Sequence, residues 1–366
     1  MAIASMLPAA PVPASLAEAT VHTLDKFVFQ ISPGVGPRWY GTAYLMGFLV
    51  AWAIMRWLAK SGRIPMTPRM VGDFMTNAVI GVIVGGRVGH CLFYDQHLLV
   101  QFSGDFPFWG LLEIHKGGMS SHGGVIGVAL AVVLYARRHK VPILALGDAA
   151  CFVAPWGLMF GRLANWVNGE LWGRPLPAEM QASAPWWSVK YPEEITLFVD
   201  LPKSLDPLRE LVPASVKLES AAANGGTMSD NAFAQWLYAT AYDHASPAHD
   251  AVVRGIEPVL TAYYPSQFFQ AAAEGPALLL LMTLAWLAPR RAGVVTGVFF
   301  AGYGVLRYTT EQFREPDSAV IALGFLTLPM LLSMTMVGVG AMFIALSRRS
   351  QPIGGLLRRS AAGVPR

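Results

Sequence analysis

Charged and amide side chains are set into apolar runs at three places along this 366-residue chain, and their types point to anion binding. At 161–174 the order Gly161-Arg162-Leu163-Ala164-Asn165-Trp166-Val167-Asn168-Gly169-Glu170-Leu171-Trp172-Gly173-Arg174 places two arginines, two asparagines and a glutamate at the end of an apolar stretch. A second group, Tyr303, Arg307 and Glu311, recurs at i, i+4, i+8, so on a helix all three share one face. A third, Ser120-Ser121-His122-Gly123-Gly124, opens another apolar stretch. Arginine suits phosphate better than lysine because its planar fork engages two oxygens at once and stays charged when buried. Glu311 is expected either to glue helices through an ion pair with Arg307 or to orient Arg307 toward an anion while Tyr303 donates a further hydrogen bond.

The remaining polar positions each carry a plainer alternative. His122 has no second histidine at metal-ligand spacing, so no metal site is expected, and the glycines around it would let a ligand approach the ring closely. Ser120 and Ser121 lack the Gly-x-Ser-x-Gly elbow of serine hydrolases. Asp73, Asn77 and Arg87 nearly share a face, with Asp73 read as an anchor beside Arg69 and Arg87, after Gly85-Gly86, as an organiser of the site. Asn165 and Asn168 could cap backbone where a helix unwinds before Gly173, which leaves Arg162 without a structural account.

These residues need apolar elements to hold them at depth. Hydrophobic residues make up 54% and charged residues 14% of the chain, with a mean hydropathy of +0.43, whereas soluble domains carry about 25% charged residues. The expected fold is an all-α polytopic membrane protein of about seven transmembrane helices, near 40–58, 71–93, 119–136, 143–163, 266–288, 293–313 and 321–346. Loops 56–70, 137–142 and 289–292 and the C-terminal tail carry fourteen arginines and lysines, from Arg56 to Arg366, and no acid. By the positive-inside rule that side is cytoplasmic, the N-terminus lying outside. The organisation read from this is an N-terminal periplasmic segment at 1–36, helices one to four at 37–175, a periplasmic head at 176–263, helices five to seven at 264–347 and a basic tail at 348–366. Within the head, Glu194–Asp200 reads as strand-like and Ala221–Asp230 as a linker. The N-terminus lacks a basic n-region, so a cleaved signal peptide is not expected. Cys91 and Cys151 are read as packing residues, and no internal repeat of the kind that builds many transporters is found.

In this order the motifs resemble the prolipoprotein diacylglyceryl transferase family of bacteria. Gly161-Arg162-x-x-Asn165-x-x-Asn168-x-Glu170-x-x-Gly173-Arg174 is similar to that family's signature, and Gly117-Gly118-Met119-Ser120-Ser121-His122-Gly123-Gly124 to its His-Gly-Gly segment. Arg38-Trp39-Tyr40-Gly41 and the run from Tyr303 through Arg307 and Glu311 to Pro316-Asp317 resemble its first and late helices. The likeness covers about Val35–Arg174 and Tyr264–Arg348. It departs at Tyr264, Phe269 and Gln270, where the family pattern has His, Tyr and Glu. The resemblance implies transfer of a diacylglyceryl group from phosphatidylglycerol to the lipobox cysteine of a preprolipoprotein in the inner membrane, forming a thioether and releasing glycerol phosphate. No cofactor, metal or nucleic acid is expected. It implies His122, Arg162, Arg307, Glu311 and Tyr40 as catalytic residues, His122 being the candidate base. Asn165, Asn168, Glu170, Gly173, Arg174, Tyr303, Arg87, Gly123 and Gly124 would contact substrate. The alternative from another class is an anionic-lipid transporter or flippase.

Overall fold

Helix α1 (Trp39–Lys60) begins directly after Arg38, and α2 (Pro68–Phe93) is launched by Thr67, whose hydroxyl accepts from the Met70 N–H, with Pro68 in the first turn. Ser120 caps α3 (Ser121–His139) by accepting from the Gly123 N–H at 3.2 Å, and Lys140, with φ of 55°, ends it. Next come α4 (Ile143–Val167), then α5 (Ala214–Ala223), α6 (Asp230–Tyr242) and α7 (His249–Ile256), and finally α8 (Ser266–Trp286), α9 (Val294–Glu311) and α10 (Leu328–Ser347). This is a computed structural model, and it describes residues 19–32, 35–104, 106–114, 117–223, 228–315 and 327–357.

Of the seven helices at the expected spans, α1, α2, α4, α8 and α10 are long and apolar enough to cross a membrane. The α3 and α9 helices lie at expected spans too. The outer faces of these helices carry exposed Leu45, Trp52, Ile80, Val84, Leu130, Leu134, Leu284 and Met342, as contact with lipid requires. Pro316 and Asp317, residues 321–326 of the seventh span, 224–227 of the linker, most of the 1–36 segment, and Arg358, Arg359 and Arg366 lie outside the described residues.

The chain divides into two compact units. One contains the described parts of 40–162, 270–309 and 318–366. In it Met55, Leu58, Phe74, Leu146, Met282, Trp286 and Val295 form a buried core. The α2 and α3 helices meet through glycines: a Cβ built at Gly127 or Gly123 would overlap the carbonyl oxygen of Gly81 or Gly85 respectively. Such closeness is what small residues permit where apolar lipid gives helices no hydrophobic drive to associate. Buried Asp148 on α4 accepts from the Gly293 and Thr296 N–H groups at 2.8 and 2.7 Å and from the Thr296 hydroxyl at 2.8 Å, capping α9 from a neighbouring helix. The segment after α10 is more than a loose tail. Strand β5 (Pro352–Ile353) pairs antiparallel with β4 (Arg290–Arg291), and Arg63 Nε and Nη2 donate to the Leu356 carbonyl. Three of the basic segments are thereby tied together.

The other unit contains the described parts of 1–39, 163–269 and 310–317. Strand β2 (Val189–Lys190) lies between β1 (Thr20–Val21), parallel to it, and β3 (Ala262–Tyr263), antiparallel. Ile195, Leu205, Phe233, Leu237, Val252 and Ile256 form a second core. Two expectations are corrected here. The 194–200 patch is not a strand: Pro192–Leu197 forms a 3-10 helix, because Pro192 starts a helical turn and the Glu194 carboxylate accepts from the Thr261 N–H and hydroxyl. The 221–230 stretch is partly helical, since α5 runs to Ala223 and Ser229 caps α6.

Candidate active site

Arg162 lies one turn before the end of α4, and its fork meets a carboxylate absent from the sequence expectations. Nε and Nη2 donate to the two oxygens of Glu274 at 2.8 and 3.1 Å, a bidentate pair in which the Glu274 side chain is wholly buried and that of Arg162 is 16% exposed. Arg307 on α9 brings its Nε to 3.8 Å from the same carboxylate. Tyr303, one turn earlier on α9, sits against Arg162 and Glu274. Glu274 thus supplies a carboxylate contact to Arg307, a role the sequence assigned to Glu311.

Local sequence explains why Glu274 arrives there. Residues Ala273–Ala277 of α8 form a π-helical turn around Pro276, whose missing N–H breaks the regular ladder; such turns recur at functional sites. Gly275 permits the approach, since a Cβ there would stand 2.7 Å from the Met159 Cβ, one turn before Arg162. Two guanidinium groups thus converge on one carboxylate in a largely buried environment, a setting in which arginine forks favour an anion.

The same unit holds Tyr40, His122 and Arg87. Tyr40 is the second residue of α1 and His122 the second of α3. His122 is exposed, and its ring makes no hydrogen bond among the described residues. Arg87 is 4% exposed, and its Nε, Nη1 and Nη2 donate to the carbonyls of Leu111, Gly117, Gly118 and Gly110 at 2.6–3.1 Å. Arg87, read from sequence as an organiser and among the substrate contacts, directs its fork to the segment that leads into α3. Gly123, likewise expected at the substrate, is occupied by the crossing with α2, while a Cβ at Gly124 would make only ordinary contact with Val82.

In the other unit α4 ends where the asparagines stand. Gly169 adopts φ of +65°, which lets the Gly169 N–H reach the Trp166 carbonyl at 3.0 Å and the Glu170 N–H that of Asn165 at 2.9 Å. The unwound chain is then held by α8: Gln267 Nε2 donates to the Glu170 carbonyl at 2.7 Å and the Ser266 hydroxyl to that of Leu171 at 3.1 Å. Asn168 is buried. Gly173 and Arg174 lie between two other segments, with the Arg174 N–H on the Phe313 carbonyl and the Tyr264 N–H on the Arg174 carbonyl, both 3.0 Å. A Cβ at Gly173 would overlap the Tyr264 carbonyl oxygen, and Arg174 Nε donates to that of Arg314 at 3.1 Å. Glu311 and Arg314 are buried here too. Of the three departures from the family pattern, Tyr264 and Phe269 pack edge-on against Phe313, and Gln270 is buried, its Nε2 making no hydrogen bond among the described residues.

Against known families, residues 26–346 match the model described as prolipoprotein diacylglyceryl transferase. The chain is 38% identical over 340 residues to a phosphatidylglycerol–prolipoprotein diacylglyceryl transferase of Bdellovibrio bacteriovorus, covering 90% of this chain and 94% of that one. Proteins of the same name from Rhizobium meliloti and Azospirillum brasilense are 32% and 34% identical, over 89% of this chain and 92% and 95% of theirs.

Proposed function

Because the chain belongs to the prolipoprotein diacylglyceryl transferase family, we propose that the Arg162–Glu274–Arg307 cluster holds the phosphate of its lipid substrate. The enzyme is a transferase that uses phosphatidylglycerol in the first step of lipoprotein maturation, and it is a multi-pass protein of the bacterial inner membrane. The observation that carries the proposal is the geometry of the cluster: two guanidinium groups from different helices, with side chains 16% and 10% exposed, converge on one wholly buried carboxylate, and the phosphodiester of phosphatidylglycerol is the kind of anion such paired forks engage.

On this reading the thiol sulfur of the lipobox cysteine attacks the glyceryl carbon. The C–S bond forms as the C–O bond to phosphate breaks, and glycerol phosphate leaves with the electron pair. Charge on the departing phosphate rises during that step, so arginines already aimed at it favour the transition state over the bound lipid. The thiol proton goes to neutral His122 as general base. Tyr303 donates to the anion beside Arg162. Arg87 acts at one remove, holding the carbonyls of Gly110, Leu111, Gly117 and Gly118 ahead of His122. Tyr40, Asn165, Asn168, Glu170, Gly173, Gly124, Arg174 and Glu311 are assigned to the substrate on the family signature. The seven helices cross the membrane with the N-terminus and the 176–263 head outside, where secreted substrates arrive.

Mass spectrometry of a lipobox peptide incubated with the purified protein and phosphatidylglycerol tests this. The parent is expected to give a diacylglyceryl adduct on cysteine, which a carrier that only binds lipid would not. Arg162→Ala and Arg307→Ala are expected to abolish it, with lysine at either position retaining part of the rate because charge survives without the fork. Parent-rate transfer by both alanine variants would remove the clamp.

A further inference from the structure

A groove on the outer face of the helices has a cation at its end. Between α1 and α2, residues including Phe48, Leu49, Trp52, Gly72, Met75 and Val79 line an open apolar groove of about 500 Å³, within the roughly 300–1,000 Å³ typical of small-ligand sites. Gly72 keeps it open, since a Cβ there would meet nothing within 4 Å. Toward the 56–70 loop, the Arg56 guanidinium lies 5.6 Å from the Trp52 ring centre, and its Nη1 donates to the Pro68 carbonyl at 3.4 Å. It therefore spans the ends of both walls. That bond is the one its side chain makes among the described residues, out of five N–H donors. The loop adds Lys60 and exposed Arg69 and contains no acid, Arg63 being engaged with Leu356. The acid nearest in sequence, Asp73, lies toward Tyr135 of α3.

We propose that this groove binds an anionic phospholipid of the leaflet beside the 56–70 loop, with an acyl chain along Trp52, Met75 and Val79 and the phosphate on Arg56. Charge complementarity selects the occupant. A zwitterionic lipid would fill the apolar walls equally well but brings its own cation to a segment already rich in them, whereas an anionic headgroup meets only unbalanced positive charge. None of the lining residues belongs to the Arg162–Glu274–Arg307 cluster, and the site is a binding site without chemistry.

The test places the full-length protein in nanodiscs of equimolar phosphatidylglycerol and phosphatidylethanolamine and counts retained lipids by native mass spectrometry. Each protein is also measured in an Arg307→Ala background, so that lipid at the cluster is not counted. Gly72→Leu fills the groove while leaving every charge in place, and Arg56→Gln removes the charge while leaving the groove. Arg56→Gln is expected to lower phosphatidylglycerol retention about fivefold, the fold-change that goes with one arginine's attraction for anionic lipid, and Gly72→Leu is expected to lower it as well by closing the groove to the acyl chain. Phosphatidylethanolamine counts and the diacylglyceryl transfer of the Arg307 parent should not change. Undiminished phosphatidylglycerol in both variants, or equal retention of the two lipids by the parent, would overturn the proposal. Because transfer is read separately, this result and the assignment of the clamp stand or fall independently.

Discussion

Arg162, Arg307 and Tyr303 were legible because a charge or phenol inside an apolar run needs a reason, and helical spacing put two of them on one face. Glu274 was not, although it too is a charge in an apolar run. Its partner is 112 residues away in sequence, and only folding shows that one carboxylate serves two arginines. The available signal was a charge count: two buried arginines call for an acid, and Glu274-Gly275-Pro276 is an acid beside two residues that distort a helix. Glu274→Gln keeps the shape and removes the counter-charge. It should lower stability by about 3 kcal/mol, the lower end for breaking a buried pair because Arg162 keeps some exposure, seen as a reduced melting temperature in detergent. Transfer should also fall by about tenfold or more as Arg162 loses its brace; unchanged melting and turnover would show that Glu274 braces nothing. His122→Asn makes the complementary case. It preserves bulk and polarity but cannot accept a proton, so turnover should collapse at neutral pH and partly return above about pH 8.5, where a free thiol ionises unaided. If lipid binding is lost instead and alkali restores nothing, His122 is not the base.

At the scale of elements, the apolar spans could be placed from sequence to within a few residues at most ends, but what joins them could not. The glycines at 81, 85, 123 and 127 signal close helix contact in general; only the fold shows that they face one another across the α2–α3 crossing. Gly127→Leu should cost at least about 1–3 kcal/mol by overpacking, whereas Gly338→Leu, with open space around it, should melt with the parent. The interior of the 163–269 region stayed hidden because its 3-10 turns and two-residue strands have no periodicity to read. One of its ties is buried His22: Nε2 bonds the Trp166 carbonyl at 2.7 Å and Nδ1 the Tyr242 hydroxyl at 3.0 Å. The carbonyl can only accept, so Nε2 carries the proton. Burial pushes this histidine below its ordinary value near 6.5. The folded form therefore holds fewer protons than the unfolded one just below that pH, and the stability His22 contributes is complete above about 6.5 and lost as pH falls through the folded value. The protection factors of the Thr20 and His22 amides, which bond Ser188 and Lys190, taken against the intrinsic exchange rate at each pH, should fall on acidification, and a His22→Gln chain should lack that step.

For the molecule as a whole, charge asymmetry was the most readable property. The basic segments containing Arg63, Arg290–Arg291 and 348–357 are joined by the β4–β5 pair and the Arg63 bonds, which is what one shared membrane face requires. In a protein with Cys91 and Cys151 replaced, single cysteines at Ser229 and Ser350 should react oppositely with an impermeant thiol reagent on intact spheroplasts. Labelling of both from outside would rule out seven crossings with the C-terminus within. The division into two units was only half visible, since the long polar stretch was evident but the second hydrophobic core, built from residues as far apart as Ile195 and Ile256, was not.

Arg87 carries a consequence for how the protein is made. It belongs to α2, yet the carbonyls that satisfy it come from Gly110, Leu111, Gly117 and Gly118, which do not exist when the ribosome finishes that helix. At about 5–20 residues per second, the guanidinium waits a few seconds for its partners, and for that time lipid charges up to about 2.5–3.5 kcal/mol for holding it. The helix is thus an unwilling passenger in the bilayer until the next stretch emerges, and α2 should leave the insertion machinery late, in company with α3, as a hairpin released in one event.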